Sequence, residues 1–335
     1  MAIALDAMGG DHGASILVEG AVAAARDLDT EIILVGRSGL LANELKNAGG
    51  TGLPIAIQDA SQVVSMDEAP SEALRKKKDS SIRVAFDLVN KGRAHAVVSA
   101  GNSGATLATA MFIMGRIKGV RPAIATLLPT LKGQSLIIDV GANVDCKPHH
   151  LLQFGIMGSL FVKEVNKKNL PTVGLLSIGE EGSKGNQQVK KAFDLLAGSD
   201  LNFVGNVEGR DIFRGEVDVV VCDGFVGNIC LKLSEGLAEA ILTMLKSELA
   251  GSILASLGYG LAKNAFRRFR KRVDYSEIGG APLLGIKGVA IICHGSSSPK
   301  AVRNAIAVAH NLTMLDLAGK LEASINSRRD FLRIV

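Results

Sequence analysis

VVSAGNSG, residues 97–104, joins an apolar run to a glycine–asparagine turn, with a helical pattern directly behind it. Three further stretches repeat the plan: LIIDVGAN at 136–143, VGLLSIGEEGSKGN at 173–186 and VVVCDGFVGN at 219–228. Short runs rich in Val, Ile and Leu that lead into helices read as buried parallel strands, covered on both faces. Open sheets of this kind bind ligands beyond the carboxyl ends of their strands, so the four turns are expected to line one site. They supply small residues, backbone amides and one lysine, Lys184. N–H groups exposed at helix starts suit an anionic oxygen ligand.

The alternation extends along the chain. Apolar runs predict strands at 2–6, 31–35, 54–58, 94–99, 122–127, 135–140, 172–177, 217–222 and 289–293. Periodic stretches predict helices at 16–26, 80–91, 103–116, 149–165, 187–196 and 229–249, with a last one from Pro299 to about Asn326. The expected fold is α/β: a three-layer, doubly wound, mainly parallel sheet. Residues 1–335 are expected to form a single catalytic α/β domain, in one body or two lobes. A helical excursion at about 249–273 breaks the alternation. It carries no acidic residue; apolar positions around Leu254 and Leu257 give way to a basic cluster interleaved with Phe266 and Phe269.

Composition narrows the function classes. Of 335 residues, 47% are hydrophobic, enough for a large core. Aromatics are only 4% and Trp is absent, so stacking platforms for single-stranded nucleic acid are poorly supplied. A net charge of +5 is too small to imply a nucleic-acid partner. The four cysteines form no CxxC pair, and no carboxylate cluster spells a metal site, so no metal is expected. There is no signal-peptide pattern and no run of about 18 apolar residues, and the expected location is the cytoplasm. A dinucleotide turn, a P-loop and a GxSxG nucleophile elbow are all missing, so a dinucleotide cofactor is poorly supported.

Residue chemistry then picks candidates. In DAMGGDH (6–12), Gly9 and Gly10 permit close backbone approach to a ligand, and Asp11 and His12 form a possible proton-transfer pair. The plainer reading is a tight turn with Asp11 capping a helix. Asn102, Asn186 and Asn228 read as helix N-caps, asparagine's usual task at a helix start; their amides also suit donation to a developing oxyanion. Lys184 between glycines suits a phosphate, or is a solvated lysine oriented by Glu180 and Glu181. Cys293 and His294 are adjacent on a strand and point to opposite faces, a poor nucleophile–base pair. His294 remains a possible ligand donor.

Together these motifs resemble the bacterial phosphate acyltransferases of the PlsX family. The resemblance spans the chain: DAMGGDH, DEAPSEALRKKKDSS from Asp67, SAGNSGA from Ser99, DVGANVDCKP from Asp139, GEEGSKGN from Gly179, GNVEGRD from Gly205, DGFVGN from Asp223, YSEIGGAPLLG from Tyr275 and HGSSS from His294. It implies transfer of an acyl group from acyl carrier protein to inorganic phosphate, giving acyl phosphate for glycerolipid synthesis. It implies a fold similar to isocitrate and isopropylmalate dehydrogenases and to phosphotransacetylases, and a homodimer peripherally bound to the membrane. Lys184, Asn228 and His12 are then the expected catalytic residues. Gly9, Gly10, Asp11, Gly101, Asn102, Ser103, Asn143, Asn186, Asp223, Gly227 and His294 are expected around phosphate and substrate. Leu254, Leu257, Lys263, Phe266, Arg267, Arg268, Arg270, Lys271 and Arg272 are expected to face the carrier protein or the membrane. The competing readings are an NAD- and metal-dependent dehydrogenase of similar fold, and a non-catalytic membrane scaffold.

Overall fold

The computed structural model describes residues 1–250, 253–273 and 277–327. Tyr275 of the last long motif lies outside them, as do the side chains of Leu254, Leu257 and Arg270. An eleven-stranded sheet runs through the molecule in the order β3-β2-β1-β4-β11-β10-β5-β6-β9-β7-β8. The first half comprises β1 (Ala2–Asp6), β2 (Glu31–Gly36), β3 (Ile55–Asp59), β4 (Ala96–Ser99) and β11 (Val289–Ile292), all parallel. The second comprises β6 (Gly133–Ile138), β7 (Thr172–Leu176), β8 (Asn202–Val207) and β9 (Val219–Val221), again parallel. Between them, β10 (Ala281–Leu284) and β5 (Ala123–Thr130) pair antiparallel with each other, with β11 and with β6. Three reversals in succession leave the two halves running in opposite directions.

Strand alternation sorts the core into two layers. In β1, Ile3 and Leu5 face a cluster that includes Leu17 and Val18 of α1 (Ala14–Asp27), Phe154 and Phe161 of α6 (Pro148–Asn166), and Val302 and Ile306 of α10 (Pro299–Met314). Ala2 and Ala4 face the other cluster, with Ile82 and Phe86 of α4 (Ser81–Asn90) and Ala105 and Ala110 of α5 (Ser103–Ile113). Both faces of the sheet are therefore covered, as the apolar runs predict. Local signals fix the helix starts. Ser80 accepts the Arg83 N–H ahead of α4, and Ser298 accepts that of Ala301 ahead of α10, which has Pro299 in its first turn.

Two strands and two helices go beyond the sequence reading: β8, β10, α2 (Ser38–Asn47) and α3 (Pro70–Lys76). The expected last helix is two, α10 and α11 (Leu317–Ser327), broken where Asp316 takes a φ of 49°. The helix after β9, α8 (Gly224–Ala250), starts earlier than expected, and α9 (Ile253–Val273) lies beside it.

One close approach sets the floor beneath β1 and β11. A Cβ on Gly20 of α1 would lie 2.6 Å from Val302 Cβ and 2.8 Å from the Pro299 carbonyl of α10. Overpacking such a contact costs about 1–3 kcal/mol. Gly20→Leu is expected to lower the unfolding free energy by that amount, seen as a lower urea midpoint with an unchanged m-value by circular dichroism.

Candidate active site

The turns gather in two groups. In the first, β1, β4 and β11 end side by side, with Asp6 opposite Ser99 and Ser99 opposite Ile292. Asp6 is wholly buried; its carboxylate accepts from Ser99 Oγ at 2.8 Å and from the Met8 N–H at 3.3 Å. Burial raises its pKa, against hydrogen bonds from Ser81 and Ser99 that lower it. Ser99 Oγ in turn accepts the Gly101 N–H at 3.1 Å. Gly9 lies so close to Gly101 that a Cβ would sit 2.6 Å from its nitrogen, and the Asp11 N–H donates to the Gly295 carbonyl at 2.8 Å. DAMGGDH, SAGNSG and HGSSS are thus in mutual contact. Asp11, His12, Ser103 and His294 are exposed around them, and His294 Nδ1 lies 2.7 Å from Ser296 Oγ.

The second group forms where β6, β9 and β7 end. Asp139 is wholly buried. Its Oδ1 accepts from the N–H groups of Ile124, Gly141 and Ala142, and its Oδ2 from the N–H and Nδ2 of Asn143. Burial raises its pKa too, opposed by these hydrogen bonds. Helix α8 rests directly on this loop: any Cβ on Gly227 would overlap the Asp139 carbonyl, and the Gly224 N–H donates to the Asn143 carbonyl at 2.7 Å. Asp223 caps α8 by accepting the Val226 N–H at 2.9 Å. Asn228 is therefore not a cap. It sits one turn inside the helix, exposed, with its amide against Gly141.

Lys184 stands in the loop after β7. Its N–H donates to the Glu181 carbonyl, which also accepts from Nδ2 of the buried Asn206 at 2.8 Å. The side chain is exposed and runs past Gly179. Glu180 lies 3.9 Å from Arg210 instead of orienting the lysine, and among the described residues Lys184 has no carboxylate partner. Ser177 Oγ and Asn206 Oδ1, at the root of this loop, are buried without hydrogen bonds.

Three points differ from the sequence reading. First, the four turns do not share one carboxyl edge. SAGNSG belongs to the first group and the other three to the second, because β10 and β5 reverse the sheet between them. Second, Asn102 and Asn143 have no free amide group. Asn102 Oδ1 caps Ala105, while its Nδ2 donates to the carbonyls of Ser65, Met66 and Glu68. Asn143 Nδ2 donates to Asp139 and Pro122, and its Oδ1 accepts from Arg121 Nε. Asn186 is a helix cap, accepting the Val189 N–H. Third, Asp6, Asp139 and Arg121 organise the site and were not among the candidates. Arg121 precedes the antiparallel strand β5, whose amino end lies at the carboxyl end of β6, so it reaches the site from before its strand and not after it.

No thiol here is prepared for attack. Cys146 and Cys293 are pushed up to about 12 by burial, and burial holds Cys222 well above the ordinary range. On α9, Lys263, Arg267, Arg268, Lys271 and Arg272 are exposed, and the half-buried Phe266 packs on Tyr259 with ring centroids 5.0 Å apart. In the basic run at 75–78, Lys76 pairs with Glu72 and Lys77 with Glu68, so part of that charge is spent locally.

Solved structures place the fold. The chain superposes on a phosphotransacetylase from Streptococcus pyogenes with a TM-score of 0.64 at 17% identity, covering 94% of each chain. It superposes on the EutD phosphotransacetylase from Staphylococcus aureus with a TM-score of 0.58 at 15% identity, covering 95% of this chain and 94% of that one. The architecture is thus the one seen in phosphotransacetylases. Sequence relatives are much nearer. A protein of Geobacter sulfurreducens named phosphate acyltransferase is 57% identical over 311 residues, 92% of this chain and 90% of its own. Another of that name, from Citrifermentans bemidjiense, is 54% identical over 327 residues, 97% of this chain and 93% of its own. A family model described as "Fatty acid synthesis protein" matches residues 1–320. The chain belongs to this family.

Asn102 gives the site a structural test. Asn102→Asp keeps the cap oxygen but turns three donations into carboxylate–carbonyl contacts. Leaving such buried groups unsatisfied costs roughly 1–3 kcal/mol. Urea unfolding is expected to show a loss of that size, with faster proteolysis of the loop at 65–68; unchanged stability would remove the anchoring role.

Proposed function

We propose that this protein transfers a long-chain acyl group from the thioester of an acyl carrier protein to inorganic phosphate, giving acyl phosphate for glycerophospholipid synthesis. The observation that carries the reading is a chain of the phosphate acyltransferase family whose strand-end loops present an exposed Lys184 and an exposed Asn228 beside glycine turns. The nucleophile is phosphate itself. Its oxygen attacks the thioester carbonyl carbon, the tetrahedral oxyanion collapses, the C–S bond breaks, and the carrier leaves as its thiolate, which takes up a proton. Holding phosphate in line with the carbonyl supplies the entropic advantage, and donors preset for the oxyanion lower the barrier.

Sheet twist supports a shared cleft. Six strand-to-strand steps separate β1 from β9. At roughly 20–25° per step the strand axis turns by roughly 120–150°, which undoes most of the reversal between the halves. In the proposed cleft the carboxyl ends of both halves would face the same side, with Lys184, Asn228 and Gly227 on one wall and Gly9, Gly10, Gly101 and His12 on the other. In this reading Lys184 and Asn228 contact the phosphate or the oxyanion, and the glycine backbones shape the nest.

Two surfaces support the wider proposal of a homodimer that works at the membrane. Helix α8 leaves Val226, Ile229, Leu233, Leu237, Ile241 and Met244 exposed at three- and four-residue spacing, an apolar stripe suited to a second copy. The basic face of α9, with Leu261 93% exposed, suits an acidic carrier protein or anionic headgroups. No helix among the described residues is long and apolar enough to cross a membrane.

Trapping acyl phosphate as its hydroxamate tests the reaction. Lys184→Ala and Asn228→Ala are each expected to lose about a hundredfold in turnover at saturating phosphate, the usual cost of an oxyanion donor. Cys146→Ser and Cys222→Ser are expected to remain active. Near-full turnover by both donor variants would overturn the assignment of the site. For the stripe, Leu237→Glu combined with Ile241→Glu is expected to shift the mass measured by light scattering from dimer to monomer.

A further inference from the structure

Arg121 is clamped at both its backbone and its side chain. Its N–H donates to Oε1 of the buried Gln153 at 2.9 Å, and Gln153 Nε2 donates to the Gly119 carbonyl at 2.9 Å, so α6 fixes the approach to β5. Its Nε donates to Asn143 Oδ1, and Asn143 is itself held by Asp139. Nη1 and Nη2 have no hydrogen-bond partner among the described residues, and the side chain is exposed. The surroundings are mixed: Asp139 and Asp223 act with Arg121 around Cys146. Lys147 and the first turn of α6 adjoin, and burial, His149, Arg121 and Lys147 together hold His150 down to about 4, so that imidazole is neutral.

An arginine fixed through Nε offers two parallel N–H groups on one side, the geometry that matches two phosphate oxygens. A solvated surface arginine has no need of a buried asparagine, a buried aspartate and a buried glutamine to hold it. We propose that Arg121 binds a phosphate group of the substrates, with Asn143 and Gln153 as its positioning residues. This rests on the reading of the site as one for acyl transfer to phosphate. Two sources present the same chemistry: inorganic phosphate, and the phosphodiester of the carrier's pantetheine arm.

The test is steady-state kinetics of the full-length protein and of Arg121→Gln and Arg121→Lys, varying inorganic phosphate and acyl carrier protein separately. Arg121→Gln is expected to raise one KM by about tenfold or more, as loss of a charge-assisted pair does, with kcat within threefold. Added guanidinium ion recovers part of the loss, and Arg121→Lys keeps only part of the affinity. A rise confined to inorganic phosphate assigns the acceptor. A rise confined to the carrier protein, and absent with an acyl-pantetheine donor that lacks the phosphodiester, assigns the arm. Asn143→Leu is expected to raise the same KM. Both KM values within twofold of wild type would overturn the proposal, as would a fall in kcat that tracks a lower melting temperature and is not recovered by guanidinium. Should the wild type make no acyl phosphate, the transfer reading itself fails. Titration calorimetry with inorganic phosphate and with phosphopantetheine then decides the arginine's role: weaker binding of either by Arg121→Gln supports it, and unchanged binding of both removes it.

Discussion

The site depends on a carboxylate buried where a strand ends. An isolated charge in that position costs several kcal/mol in lost solvation, and Asp139 offsets the cost by collecting N–H groups from both sides of its turn. That requirement dictates the rest. Residues 141–143 must wrap back on the carboxylate, the Asn143 amide is fixed in one orientation, and its carbonyl is left to receive the first N–H of α8. Helix α8 then sits so close that only glycine fits at position 227. Asn228, the next residue, emerges beside Gly141 on a rigid helix instead of a loop. The location of its amide thus follows from satisfying a neighbouring charge.

Asp6 does the same work in the other half of the sheet with fewer donors. It too ends a central strand, and through Ser99 it reaches the Gly101 N–H, joining two turns whose glycines touch. The two halves solve one problem twice: each ends a buried strand in a carboxylate and uses it to shape the following backbone. Antiparallel β5 and β10 join them, and this junction makes two separate walls from what would otherwise be one edge.

How far the sequence speaks can be read from particular residues. The buried strands were legible because both faces of the sheet are covered, which leaves continuous apolar runs. β8 was not: its NFVGNV run starts with Asn202, is interrupted by Gly205 at a φ of 100° and by Asn206, and lies at the sheet edge. β10 was not, being four residues long and containing a proline. The reversal of the sheet was hidden because apolar runs carry no direction; only the pairing partners supply it. The caps Asn102 and Asn186 were legible from asparagine's chemistry, which misplaced Asn228 as a third cap because Asp223 takes the cap five residues earlier. Arg121 was invisible for a geometric reason. Residues that follow a strand reach this edge only from parallel strands, whereas an antiparallel strand brings its preceding loop there.

The charges explain why an anion site here needs fixed cations. Asp139, Asp223, Glu180 and Glu181 all lie in the loops of the second group, a poor setting for phosphate unless they are answered. Asp139 is answered by N–H groups, Asp223 by the start of α8, and Glu180 faces Arg210 across 3.9 Å. Lys184 and Arg121 then remain without carboxylate partners among the described residues, one on a glycine-flanked loop and one clamped by α6 and Asn143. Lysine carries a compact charge on a flexible stem, and arginine a planar fork of fixed direction, so the two side chains offer different kinds of contact. Because the thiols nearby stay protonated, they do not compete with phosphate for the thioester. Under the proposed assignment, the acidity of the loops disfavours any anion that engages neither cation.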